Sequence, residues 1–240
     1  MSSHAANSHE SLCSQVHAAV QANILKLLGQ YAKREGNLLD IGCWHGQTTM
    51  RYANQLSAKG VFGIEVFAEV AEKAKKAGVD VRCINLETDS FPFASHSMDV
   101  VVCNQVFEHL KDIFRPMDEM ARVLVPGGIL ILSVPNLASF HSRIMLLLGM
   151  QPSPIRIYGP HVRGFTLGAI SEYLQSGRQF EYVKTVGSGF YPFHASGIGA
   201  FLARLWVGGS HTPIFVLRRT NEQTFSYRQN YLDRLEQTFM

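Results

Sequence analysis

A chain of 240 residues, 46% hydrophobic and 17% charged, has ample apolar material for a sizeable core and lacks the charge excess of a disordered chain. Its net charge of +3, from 22 basic and 19 acidic residues, is too mild to argue for a polyanion partner. No apolar run approaches the length of a transmembrane helix, and the polar start MSSHAANSHE has no apolar signal core, so a cytoplasmic protein is expected.

The elements are taken in chain order. Residues 1–12 are expected to form a flexible tail. From Ser14 to Gln30, Val16, Val20, Ile24, Leu27 and Leu28 recur at helical spacing and predict an amphipathic helix. A strand is predicted over Asn37–Ile41, then a glycine turn, then a helix over Gln47–Ala58. A strand at Val61–Val66, a helix at Ala68–Ala77 and a strand at Val79–Ile84 follow. Met98–Asn104 (MDVVVCN) is apolar throughout its middle, as suits a parallel strand buried on both faces. A helix over Ile113–Leu124 is expected to stop at a Pro126-Gly127-Gly128 turn, with a strand over Ile129–Val134 after it. Strands alternating with helices predict an α/β fold, a doubly wound and mostly parallel sheet with helices on both faces. One domain over 13–220 is expected, with lid-like insertions near 137–164 and 190–210. The tail from 221 to 240 has helical spacing at Tyr227, Tyr231, Leu235 and Phe239.

In such a sheet, ligands sit at the carboxyl ends of the strands, beside the first strand. There the sequence places Asp40 and the glycine turn Gly42–Gly46, then Glu65, then Asn85, Leu86 and Glu87, then Asn104 and Gln105 with Glu108 and His109 a turn later. Glycines allow a ligand to approach the backbone closely. A carboxylate such as Glu65 can accept both hydroxyl hydrogens of a ribose cis-diol. Gly42 and Gly46 stand four apart with Trp44 between them, unlike the G-x-G-x-x-G of dinucleotide sites. Trp44 would obstruct a pyrophosphate, yet it can line a cavity for a ligand without phosphates. Cys13, Cys43, Cys83 and Cys103 lie far apart with no CxxC pair. They read as buried thiols of a reducing compartment, and no metal is expected.

Several stretches in one order, LLDIGCWHGQTT, GVFGIEV, CINLETDSFPFASHSMDVVVCNQVFEHL and MARVLVPGGILILSVPN, resemble the class I S-adenosylmethionine-dependent methyltransferases across Leu38–Asn136. The stretch HVRGFTLGAISEYLQSG resembles the continuation in small-molecule members, and Pro213–Arg219 would be a seventh strand, antiparallel to the rest. The resemblance implies a Rossmann-like seven-stranded sheet and S-adenosyl-L-methionine as cofactor. Residue by residue, Gly42, Cys43, Trp44 and Gly46 would pass under its methionine part, with Asp40 supporting that loop. Glu65, with Val66 beside it, would hold the ribose. Asn85 and Leu86 would flank the adenine, and Asn104 would bound the methionine end. Two departures from the family pattern are Trp44, where the family has its middle glycine, and Asn85, where it often has Asp. Trp44 either faces the sulfonium, as a cation–π partner, or packs on the following helix.

Methyl transfer is an in-line displacement in which positioning supplies much of the rate. His109 is the candidate general base, against the plainer reading of a capping or core histidine. His161 and Arg163 are candidate acceptor contacts, or exposed loop residues, and Tyr191, in the aromatic segment 190–207, is a third candidate acceptor contact. The chain has NQVF where enzymes that grip a flipped base carry Asp/Asn-Pro-Pro-aromatic, and no basic patch is interleaved with aromatics, so a small-molecule acceptor and no nucleic acid are expected. The apolar segments Leu137–Met150 and Phe190–Val207 suit a hydrophobic acceptor, a peripheral membrane contact, ordinary core or a homodimer interface. An S-adenosylmethionine binder without transferase activity, and a nicotinamide-dependent oxidoreductase that the glycine spacing disfavours, stay open as alternatives.

Overall fold

The computed structural model describes residues 3–193, 197–222 and 225–238, with side chains from 14 to 236 within those ranges. Seven strands form one sheet: β1 (Asn37–Ile41), β2 (Gly60–Ile64), β3 (Asp80–Arg82), β4 (Met98–Asn104), β5 (Leu124–Ser133), β6 (Phe180–Ser188) and β7 (Thr212–Arg219). Their spatial order is β3-β2-β1-β4-β5-β7-β6. The first five pair in parallel, and β7 enters antiparallel between β5 and β6.

Side-chain alternation explains why the central strands read as unbroken apolar runs. On β4, Val100 and Val102 face one core and Val101 and Cys103 the other, and on β1 Leu38 and Leu39 divide in the same way. The first core is closed by α1 (Ser3–Tyr31), whose Val20, Ile24, Leu27 and Leu28 are buried, together with α2 (Gln47–Leu56). The helical stripe expected from the sequence is thus the buried face, and the helix reaches back to Ser3. The second core lies under α4 (Phe114–Val123) and α6 (Leu167–Ser176). A third, smaller cluster of Ala71, Ala74, Val79 and Val81 involves α3 (Ala68–Lys76).

Three local expectations are corrected. β3 has three residues, because as the outermost strand it pairs only with β2. The helix before β5 stops at Val123, and Pro126-Gly127-Gly128 is no separating turn. It forms an irregularity inside β5, where pairing jumps from Met98↔Leu124 to Val100↔Ile129. Glycine is required there: Gly127 has φ +82°, and a Cβ on Gly128 would lie 2.8 Å from the Val125 carbonyl oxygen. β2 ends at Ile64, so Glu65 is the first residue beyond the ladder.

The later segments add α5 (Phe140–Leu147), α7 (Gly197–Leu205) and α8 (Tyr227–Thr238). α8 docks on the body of the chain: Tyr231 stacks on Phe114 at 4.1 Å, and the Tyr227 hydroxyl donates to the Leu174 carbonyl. Phe239 lies outside the described residues. Among those residues no helix is long and apolar enough to cross a membrane.

Candidate active site

The crossover from β3 to β4 reverses the winding of the sheet beside β1, and a crevice opens there at the strand ends. It is a cleft of about 320 Å³ lined by Asp40, the Gly42–Thr48 turn, Tyr52, Asn104 and Gln105, with His17 and Gln21 of α1 on its rim.

The turn is held open by the chain's own hydrogen bonds. Gly42 N–H and Cys43 N–H both donate to the Ile64 carbonyl, and Gly46 N–H donates to the Cys43 carbonyl. Gly42 and Gly46 have φ of +73° and +79°. A Cβ on Gly46 would sit 3.0 Å from Ala74 Cα, so Gly46 is also what lets α2 start against α3. The Cys43 side chain turns into the third cluster against Gly63, leaving only its backbone for the cleft.

Trp44 takes φ +48°, a left-handed conformation that costs a non-glycine residue roughly 1 kcal/mol. Its N–H donates to Glu65 Oε2 at 3.1 Å, which fixes that conformation. The indole is 54% exposed and lines the cleft. Glu65 is buried, and its other oxygen accepts from Phe67 N–H at 3.1 Å. One carboxylate therefore ties the glycine turn to the end of β2, and each oxygen keeps a second lone pair for a ligand hydroxyl.

Asp40 is buried at the floor and accepts a 2.5 Å hydrogen bond from the Thr49 hydroxyl. Burial raises its carboxyl to about 7, the Thr49 bond opposes that, and the charge of Glu65 adds to it. The Tyr52 hydroxyl beside it is buried without a hydrogen-bond partner. At the far wall Asn104 Oδ1 accepts from the Ser133 hydroxyl at 2.6 Å, and Gln105, at φ +57°, donates its N–H to the Ser133 carbonyl.

On the adenine side of the expected site, the Asn85 side-chain oxygen accepts from Glu87 N–H in a local turn. Leu86 is buried in the second core, while Val66 and Phe67 are exposed apolar side chains just beyond Glu65. Glu87 accepts from both Lys111 and Asp112 N–H, fastening the loop after β3 to the one after β4.

Past Gln105 a single turn, Phe107–His109, brings Glu108 and His109 together with His161 from a loop 52 residues later. One ligating atom of each lies within 4.8 Å of the other two. Burial, with His161 nearby, holds the His109 imidazole below its ordinary pKa, while its bond to Pro160 works the other way. Arg163 donates Nε to the carbonyls of Leu110 and Lys111 and Nη2 to Lys111, so its guanidinium clamps this loop down. Tyr191 stands apart from that group, with its ring 4.1 Å from His141. Nearby, Phe140, Phe190 and Trp206 form an aromatic cluster with Arg143 over the indole, so the two apolar segments meet. Residues 194–196 of the second segment lie outside the described residues.

His17, Gln21 and Tyr52 were missed in the sequence. The first two share the polar face of α1 at a four-residue spacing, a signal that was present but pointed only to solvent.

Residues 39–132 match the family described as "Methyltransferase domain". A protein of Mycolicibacterium smegmatis described as "Probable S-adenosylmethionine-dependent methyltransferase" is 32% identical over 170 residues, 70% of this chain and 59% of its own length. The 27-O-demethylrifamycin SV methyltransferase of Amycolatopsis mediterranei is 36% identical over 109 residues, 43% of this chain and 40% of its own. The chain thus spans less than two thirds of either relative. Among solved structures, an S-adenosylmethionine-dependent methyltransferase from Mesorhizobium loti superposes with a TM-score of 0.58 at 16% identity, over 85% of this chain and all of that one. Residues 39–132 thus resemble a methyltransferase domain, and the fold is that of the solved S-adenosylmethionine-dependent methyltransferase. The cofactor of that family is S-adenosylmethionine.

Proposed function

We propose that this chain transfers a methyl group from S-adenosylmethionine to a small-molecule acceptor that carries an apolar part. The observation that carries the reading is the cleft lined by Asp40, Gly42, Trp44 and Gly46 at the point where the sheet reverses its winding, with Glu65 bonded to the Trp44 amide beside it. Its residues fit an adenosyl amino acid. Glu65 has lone pairs for a ribose diol, Asp40 has a carboxylate for an ammonium, and Asn104 closes the methionine end. Val66 and Phe67 offer exposed apolar surface to a purine, with Leu86 buried behind the neighbouring loop. Trp44 lines the part of the cleft under the methionine chain, where a sulfonium would gain about 0.5–2 kcal/mol from the indole face.

S-adenosylmethionine supplies a methyl group already electrophilic at sulfur, so the chain's task is to hold donor and acceptor in line. The acceptor's polar end lies toward His109 and His161, a turn beyond Gln105. Its apolar part lies under the Phe140–Phe190–Trp206 cluster, with Tyr191 on the flank. Arg163 is a positioning residue that holds the loop carrying His161. Free thiols at Cys43, Cys83 and Cys103 accord with a reducing, cytoplasmic setting.

Calorimetry with S-adenosylhomocysteine and with NAD tests the reading, followed by turnover of labelled cofactor over a panel of phenols, amines and quinols. Binding of the homocysteine product alone, with turnover of at least one acceptor, is expected. Failure to bind it would overturn the reading, and binding without turnover on any acceptor would leave a cofactor binder.

A further inference from the structure

We propose that Glu108, His109 and His161 form a binding site for a divalent transition-metal ion at the acceptor end of the cleft. The scattered cysteines of the sequence predict no metal, but the fold brings Glu108, His109 and His161 together. Three features of the side chains argue for an ion.

The first is an orphaned carboxylate oxygen. Glu108 is 1% exposed, and its Oε2 has no hydrogen-bond partner. A buried, unpartnered carboxylate oxygen costs several kcal/mol unless a proton or a cation meets it. Among the described residues no lysine or arginine forms an ion pair with it.

The second is the state of the two imidazoles. His109 Nδ1 lies 3.2 Å from the Pro160 carbonyl oxygen, and His161 Nδ1 lies 2.8 Å from that of Pro154. A carbonyl can only accept, so each Nδ1 carries a proton, which leaves Nε2 as the nitrogen that can bind an ion. Backbone carbonyls hold metal-ligating histidines in the same way, fixing tautomer and ring orientation.

The third is convergence on a fastened frame. A ligating atom from each residue lies within 4.8 Å of the others, and the two rings approach edge to face at 4.8 Å. The Glu108 carbonyl accepts from both Val162 and Arg163 N–H, so the loop bearing His161 is bolted to the turn bearing the other two. Donor atoms around a tetrahedral ion with bonds of about 2.0–2.1 Å stand closer than this, roughly 3.3 Å apart, so binding would draw the three side chains inward.

Two imidazoles and one carboxylate select zinc, ferrous iron or their neighbours over magnesium or calcium, which prefer all-oxygen shells. Three protein ligands leave at least one position open beside the cleft. Resting on the methyl-transfer reading, that position would take an acceptor's hydroxyl or amine, lower its pKa and release its proton to water.

The test uses the full chain without an affinity tag, stripped with a chelator, in the absence of cofactor and acceptor. Cobalt(II) is titrated while visible ligand-field bands are recorded, and zinc affinity is measured by competition with a chromophoric chelator. Stoichiometric binding with a tetrahedral or five-coordinate cobalt spectrum is expected, and millimolar magnesium should not displace it. His161→Ala and Glu108→Gln should each weaken zinc by at least about tenfold, whereas His96→Ala, at an exposed site elsewhere, should bind as the wild type does. Should Glu108→Gln fail to fold, His161→Ala decides, with circular dichroism as its fold control. Sub-stoichiometric metal, or a His161→Ala variant that binds zinc like wild type, overturns the proposal. S-adenosylhomocysteine binding is measured separately, so loss of the metal site and loss of the methyl-transfer reading are different results.

Discussion

The cleft and the apolar segments proposed to cover the acceptor are built on opposite principles. On the cofactor side, nearly every polar group is already engaged by the chain itself: Glu65 by two backbone amides, Asp40 by Thr49, Asn104 by Ser133. On the proposed acceptor side, segments 137–150 and 190–207 expose Leu147, Phe201 and Leu205 and meet through the rings of Phe140, Phe190 and Trp206. The difference teaches where tolerance to change should lie. A hydrogen-bonded turn with left-handed residues has one geometry, and any change there reaches both fold and ligand. An apolar cover can repack, so changes there should reach the acceptor alone.

The largest expected effect tests the first half of that contrast. Glu65→Ala removes the carboxylate that orders Trp44 and Phe67 and the acceptor for a ribose. Charge-assisted bonds are worth about 1.5–3 kcal/mol each, so affinity for S-adenosylhomocysteine should fall about 100-fold by calorimetry. Unchanged affinity would refute the ribose role. Next comes Gly46→Ala, which forces a Cβ into a left-handed position and to 3.0 Å from the Ala74 backbone. Urea unfolding should show a loss of about 2 kcal/mol. Gly168→Ala on α6, where a Cβ meets nothing within 4 Å, should cost nothing and serves as the control.

The third effect is a pH dependence. Asp40 titrates at about 7 in the fold against an ordinary 3.8, so burial favours its protonated form. Its contribution to apo stability is present in full below about pH 4 and is lost as pH rises through about 7. A bound ammonium reverses that preference. S-adenosylhomocysteine should bind about tenfold more tightly at pH 8 than at pH 6 and should release a proton at pH 6, counted by calorimetry in two buffers. Asp40→Asn should flatten the dependence; a wild-type profile that is already flat would remove Asp40 from the ammonium site.

The same contrast sets what could be read from the sequence. β1 and β4 were legible to the residue because burial on both faces leaves continuous apolar runs. The strand-end residues were legible because glycines and acids recur at those ends in one order. The left-handed states of Trp44 and Gln105 were not, since no local pattern asks for positive φ at a tryptophan or a glutamine. Neither was the irregularity within β5, because Pro-Gly-Gly reads as a turn until a neighbouring strand pairs on either side of it. Glu108, His109 and His161 stood in plain view, but their convergence depends on how a loop folds back, and spacing says nothing of that.

The smallest expected effect bears on the acceptor half. Phe201 is 63% exposed on α7, so Phe201→Gln gives up little burial in the monomer. Folding stability should stay within about 0.5 kcal/mol of wild type, and affinity for S-adenosylhomocysteine should not change. What should change is the KM of an apolar acceptor once one is found, because the side chain belongs to the cover and not to the cofactor cleft. If the variant instead loses more than about 1 kcal/mol in urea unfolding, Phe201 is packed in solution. The cover would then be a buried interface, as rigid as the glycine turn, and the contrast between cleft and cover would fail at that point.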